Sequence, residues 1–212
     1  MTTRKKKPRD DDTLKRAVVE AALAHAAFDG FTERVFARSA SECDLDKAAT
    51  SRLFPDGERS LVETYSLLAD LDMEKKLAKL HLPAMKVRER IAAAIKTRLE
   101  ILKPHKEAAR RAAAFLSLPP NLPLATKLLY STVDSMWRAA GDRSTDFNFY
   151  TKRGILAGVY SATLFRWFND QSEDEHETSD FLAARIENVM QFERFKAQVR
   201  EGFSRIFPQP TS

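Results

Sequence analysis

Apolar residues along this chain recur at steps of three and four, and no segment shows the strict alternation of a strand, so helices are predicted throughout. The first stripe is Leu14, Val18, Ala21, His25 and Phe28, with Asp12 or Thr13 as its N-cap and Gly30 as its stop. His25 lies on that apolar stripe, where a buried, hydrogen-bonded histidine is expected rather than a ligand or base. Thr32 caps a second short helix to about Ser41, and Asp46 a third through Phe54, ended by Pro55-Asp56-Gly57. Beyond Ser60 the helices lengthen, running roughly over 60–80, 86–103, 105–117, 122–140, 146–169 and 178–206. The expected organisation is a tail over 1–12, a helix-turn-helix-like three-helix unit over 13–57, and a larger helical domain over 58–212. The fold class is all-α.

Two segments of the larger domain stand out. Around Ile155-Leu156-Ala157-Gly158-Val159-Tyr160 the pattern is apolar nearly all round, and such a helix is expected to be enclosed by others. Gly154 and Gly158 allow another helix to come close, either in the core of the domain or across a dimer seam. The last segment repeats Leu182, Ile186, Val189, Phe192, Phe195, Val199, Phe203 and Ile206 at three or four, interleaved with Arg185, Arg194, Lys196, Arg200 and Arg205. A basic, phenylalanine-rich amphipathic helix either packs on its domain or lies in a membrane interface. Packing suits the first half; Phe195, Val199, Phe203, Ile206 and Phe207 are the expected membrane contacts.

Composition narrows the function classes. Hydrophobic residues make up 43% of the 212, enough for a real core, and six glycines suit helices. Cys43 is the one cysteine, which excludes an intramolecular disulfide and a cysteine-rich metal site and points to a reducing compartment. No stretch reaches the roughly 20 apolar residues of a spanning helix. Met1 to Asp12 lacks the apolar core of a signal peptide, and Asp10, Asp11 and Asp12 are foreign to a transit peptide. The net charge of +5 is matched by Arg4, Lys5, Lys6, Lys7 and Arg9 alone. That tail reads as a solvated arm, with anionic lipid or nucleic acid as other contacts.

No catalytic constellation is visible. A glycine-rich phosphate loop, a nucleophile elbow and a His-Glu-x-x-His zinc helix are all missing. His81 and His105 sit beside proline breaks, and His176 lies in the acidic run Glu173 to Glu177, which reads as a solvated loop. Neither metal nor cofactor is expected.

A small three-helix unit ahead of a larger helical domain resembles TetR-type regulators, and Leu53-Phe54-Pro55 followed by Ser60-Leu61-Val62 echoes the end of their recognition helix. Ser51 and Gly57 depart from that pattern. From Thr13 to Gly57, six basic residues (Lys15, Arg16, Arg34, Arg38, Lys47, Arg52) meet seven acidic ones (Glu20, Asp29, Glu33, Glu42, Asp44, Asp46, Asp56), a net of −1. Affinity for DNA rests on neutralising phosphates, so DNA is not the expected partner. A TetR-type repressor answering to a hydrophobic ligand is the alternative function.

The most distinctive stretch runs from Met136-Trp137-Arg138 through Gly141-Asp142 to Asp146-Phe147-Asn148-Phe149-Tyr150-Thr151-Lys152-Arg153. Gly141 ends one helix, Ser144 or Thr145 caps the next, and Asp146 falls where the helix dipole favours an anion. Asp146, Phe149, Tyr150 and Arg153 share one side of that helix, and aromatics mixed with arginine are the composition of an interface hot spot or of a helix start packed into the core. The stretch continues as Ile155-Leu156-Ala157-Gly158-Val159-Tyr160 and Asn169-Asp170-Gln171-Ser172. Together with His25-Ala26-Ala27-Phe28-Asp29-Gly30-Phe31-Thr32, it resembles the lipid-binding accessory proteins of ubiquinone (coenzyme Q) biosynthesis over roughly residues 13–190.

The resemblance implies a TetR-like fold without DNA binding, a homodimer, and an apolar pocket for an isoprenoid quinone intermediate or phospholipid. Leu129, Val133, Met136, Leu156 and Tyr160 are its candidate lining. It implies a non-catalytic role aiding demethoxyubiquinone hydroxylase or its equivalent through Trp137, Asp146, Phe149, Tyr150 and Arg153. Phe149 stands where animal members carry tryptophan. With no targeting extension in front, the expected location is cytoplasmic, peripheral on the inner face of a bacterial membrane.

Overall fold

The computed structural model describes the backbone of residues 10–142 and 147–206, and the side chains of 10–142 and 149–191. All of its regular structure is helical. Among the described residues nine α-helices follow one another: α1 (Asp11–Asp29), α2 (Glu33–Glu42), α3 (Lys47–Leu53), α4 (Glu58–Leu77), α5 (Val87–Leu102), α6 (Lys106–Leu116), α7 (Leu122–Ala139), α8 (Phe147–Phe168) and α9 (His176–Ile206).

The starts of the first three helices show why they form where they do. Asp10, not Asp12 or Thr13, caps α1, its carboxylate accepting from the Thr13 amide at 2.7 Å. Thr32 and Asp46 accept from the amides of Val35 and Ala49 at 3.3 and 2.7 Å, as their positions predicted. Gly30 and Gly57 turn the chain in the left-handed region, at φ of +71° and +55°, where other residues are strained. Phe36 and Phe54 meet edge to face at 5.5 Å and close the small unit.

Its core is continuous with that of the larger domain. α1 packs on α4 and α6 as well as on α2. Arg16 of α1 grips Asp72 of α4 with two hydrogen bonds of 2.8 and 3.0 Å. His25 is half-buried and its Nε2 lies 3.0 Å from Glu42, so it ties α1 to α2, hydrogen-bonded as expected.

In the larger domain α4, α5 and α7 pack against one another, and α8 lies between α7 and α9. α8 is not enclosed as its all-round apolar pattern predicted. Leu156, Tyr160 and Trp167 face inward, while Gly154 and Gly158 are exposed and Phe165 is 73% exposed. Its neighbours α5, α6, α7 and α9 cover only part of the circumference, and the remaining face is open.

Candidate functional site

The corner between α7 and α8 is built around one arginine. α7 ends at Ala139, and Gly141, at φ +86°, turns the chain. Arg153, on α8, is only 4% exposed. Its Nε and Nη2 lie 2.8 and 2.7 Å from Asp134 of α7, and its Nη1 is 3.3 Å from Asp142. The guanidinium also covers the Phe149 ring, 3.3 Å from the centroid. A buried cation needs such partners, and here they bolt the start of α8 onto the end of α7.

Trp137 is half-buried in the same corner and donates from Nε1 to the Lys152 carbonyl at 3.1 Å. Lys152 Nζ lies over its ring at 5.6 Å and meets Asp142 at 2.8 Å. Outside this cluster stands Tyr150, 68% exposed, its ring edge-on to Phe149 at 5.1 Å. Of the five residues expected at a partner surface, Tyr150 is therefore presented to solvent and Phe149 partly so. Arg153 faces inward and shapes the corner, and Trp137 is shared between corner and cavity. Asp146 lies outside the described residues.

Two cavities enter the larger domain. The first, of about 330 Å³, lies among α5, α7, α8 and α9. Its walls include Ile91, Trp137, Leu156, Val159, Ile186 and Met190, with Lys86 and Arg88 at the start of α5. It thus shares Trp137 with the corner just described. The second, of about 440 Å³, lies among α4, α5, α6, α7 and α8, and Leu129 and Tyr160 line it. Val133 and Met136 line neither; both are fully buried between the helices. The five expected pocket residues are divided in this way because α7 and α8 each run past both cavities, so that position along the helix decides which space a residue meets.

The second cavity has a polar floor that periodicity did not suggest. Arg98 of α5 and Asp70 of α4, both buried, pair at 3.0 Å. Thr132 of α7 donates to the same carboxylate at 3.0 Å, and Arg98 Nη2 donates to the Ser66 carbonyl at 3.2 Å. Burial pushes Asp70 above the usual carboxylate range, against the opposing pull of Arg98 and Thr132. Burial likewise raises the Tyr65 and Tyr160 hydroxyls, so both remain protonated at neutral pH. A signal was present: Asp70 and Arg98 are charges at core-facing steps of three and four, with Met73 and Leu77 on α4 and with Ile91, Ile95 and Leu102 on α5.

The expected membrane contacts Phe195, Val199, Phe203 and Ile206 fall on α9, but their side chains, and all of Phe207, lie outside the described residues. No helix among the described residues is long and apolar enough to cross a membrane.

Comparison with known proteins bears on both fold and family. The fold is shared with a TetR transcriptional regulator from Nitrosomonas europaea, at a TM-score of 0.65 and 20% identity, over 82% of this chain and 95% of that one. Residues 122–193, which span α7, α8 and the first part of α9, match the family model described as COQ9. The mitochondrial ubiquinone biosynthesis protein COQ9 of Bos taurus is 35% identical over 90% of this chain, and that of Homo sapiens 34% over 90%. The chain spans about three fifths of these relatives, 61% and 62% of their lengths. Both carry a mitochondrial name, as does the relative from Drosophila melanogaster, which overturns the expectation of a bacterial protein at the cytoplasmic face of its membrane. On an all-helical TetR-like fold, the chain is similar over 90% of its length to the COQ9 proteins of ubiquinone biosynthesis.

Proposed function

We propose that this chain is a non-catalytic accessory protein that takes an isoprenoid quinone intermediate from a membrane surface and presents it to a hydroxylase of ubiquinone biosynthesis. The observation that carries this reading is the shared position of Trp137. Its indole N–H meets the Lys152 carbonyl at the α7–α8 corner, and its ring lines an apolar cavity of about 330 Å³. A partner docked on Tyr150 would stand beside the mouth of a lipid slot. Burial of apolar surface supplies the affinity, at about 0.8 kcal/mol per CH₂ group. No side chain is asked to make or break a bond, and the only ligand in this reading is the lipid. The second half of α9 meets the membrane, and two copies form the working dimer.

The TetR-like arrangement favours one rival, a repressor that answers to a hydrophobic ligand. The face of α3 weighs against it. Ala48 and Ser51 are exposed there, Arg52 is committed to Asp11, and Asp44, Asp46 and Asp56 outnumber Lys47 in its surroundings.

Native mass spectrometry of the protein purified from its own host, with extraction of what it carries, tests the proposal. The expected result is an isoprenoid quinone or its precursor at about one per subunit. An empty protein that binds duplex DNA in a salt-dependent manner would replace the carrier with the repressor.

A further inference from the structure

The second cavity contains donors with nothing to donate to. Arg98 is 3% exposed and Tyr65 8%, and both line this space. Arg98 Nη2 is held by Ser66, whereas Arg98 Nη1 and the Tyr65 hydroxyl have no hydrogen-bond partner. Buried donors are costly to leave unpaired, and in native proteins such groups mark a place where something else binds. The walls around them are apolar, with Leu102, Ala112, Leu129 and Leu164 among them. Leu122 and Phe165, both largely exposed, stand at the mouth.

The charge balance narrows the ligand. Asp70 already neutralises Arg98, at 3.0 Å. An anion brought to this floor would meet a spent positive charge and a neighbouring carboxylate. A neutral oxygen acceptor would take the free N–H and O–H without disturbing the pair.

We propose that this cavity binds a neutral amphipathic ligand with its head inward, a ring carbonyl or phenol oxygen accepting hydrogen bonds from Arg98 Nη1 and the Tyr65 hydroxyl while the apolar tail leaves past Leu122 and Phe165. The inference rests on the chain's being a carrier for quinone-type lipids and adds where the head group sits and what recognises it. It also separates two tasks: this cavity hides the head group, and the one beside Trp137 lies next to the docking surface.

The test is calorimetric titration of the full chain with a ubiquinone carrying a single isoprene unit, with an isoprenyl benzene of similar size that has no oxygen, and with decanoate. The quinone should bind at least about tenfold more tightly than the hydrocarbon, as expected when two hydrogen bonds are lost at a buried polar site. Tyr65→Phe removes only an unpartnered hydroxyl, so melting should stay level or rise, while quinone affinity falls by about fivefold and hydrocarbon affinity stays put. Arg98→Met alone would strand Asp70, so it is paired with Asp70→Leu, and this double variant should also lose the preference for quinone. Equal binding of quinone and hydrocarbon, tighter binding of decanoate, or unchanged quinone affinity in both variants would overturn the assignment. A chain that leaves its host without quinone yet titrates as described fails as a carrier and keeps this site. One that co-purifies with quinone but ignores both variants does the reverse.

Discussion

Tyr150 and Arg153 are three positions apart on one helix and do opposite jobs. The Arg153 guanidinium is enclosed by Asp134, Asp142 and the Phe149 ring. Arg153→Ala would take one cation from each of two partly buried carboxylates, leaving Asp142 with Lys152 and Asp134 with Arg138, and removal of one partner of a buried pair costs about 3 kcal/mol. Asp134 keeps some access to water, which lowers the expected loss to about 2–3 kcal/mol in urea unfolding. Tyr150 touches Phe149 and otherwise faces solvent. Tyr150→Ala should change stability by about 0.5 kcal/mol or less, yet weaken binding of the hydroxylase by about tenfold or more if this ring is a hot spot. The two readouts must separate: a Tyr150→Ala protein that unfolds, or that binds the hydroxylase unchanged, would remove Tyr150 from the docking surface. Helical register could group these residues on one side, because steps of three and four are local. It could not say that Arg153 turns inward, since that depends on Asp134 and Asp142, which another element supplies. The same limit hid the pair of Asp70 and Arg98, contributed by different helices and joined only by the fold.

Between α8 and α9 the joint is held by one carboxylate. Asp170 accepts from the Ser172 amide at 2.9 Å, from the Thr178 amide at 2.7 Å, and from both hydroxyls. Burial raises its pKa, but these donors outweigh burial and hold the carboxyl well below its ordinary value of 3.8. The sign follows: a depressed folded-state pKa adds stability that is fully present above the ordinary value and lost as pH falls through the folded one. Asp170→Asn should therefore cost about 1–2 kcal/mol near neutral pH, as loss of a cap does, and the gap to wild type should shrink toward pH 3 and below. Urea titrations at several acidities measure it, and a gap that stays constant with pH would show that the charge is not what matters. Elements of this kind are the most legible from sequence. Thr32, Asp46 and Gly30 were readable because a cap or a stop acts within a few residues. The start of α1 was misjudged by two or three residues because Asp10, Asp11 and Asp12 offer the same local chemistry. Only the fold shows that Arg52 engages Asp11, leaving Asp10 for the cap.

At the scale of the whole molecule, the open face of α8 is the feature a single chain leaves unfinished. Tyr150, Gly154, Gly158, Ala162 and Phe165 follow at steps of four, four, four and three, all exposed, over about 22 Å of helix. An apolar count of the sequence treated this helix as enclosed, because glycine and alanine score as apolar whether or not anything covers them. A Cβ added at Gly154 or Gly158 would meet nothing within 4 Å, so these glycines are not required by packing inside the chain. Glycine in mid-helix costs about 1 kcal/mol relative to a good helix former, a cost the isolated chain has no visible reason to bear. A second copy supplies one: two α8 helices crossing at their glycines can approach closely, as a two-fold interface requires of a self-complementary patch. Gly158→Glu separates the two accounts. Within one chain it should raise helix stability by up to about 1 kcal/mol, while across a two-fold axis it places two like charges and two side chains into a space sized for hydrogen. On the proposed dimer, sedimentation velocity should show the parent as two copies and the variant as a folded monomer, with thermal melting of the variant independent of protein concentration. If Gly158→Glu stays dimeric, the interface lies on another surface and the small residues of α8 face something other than a second copy.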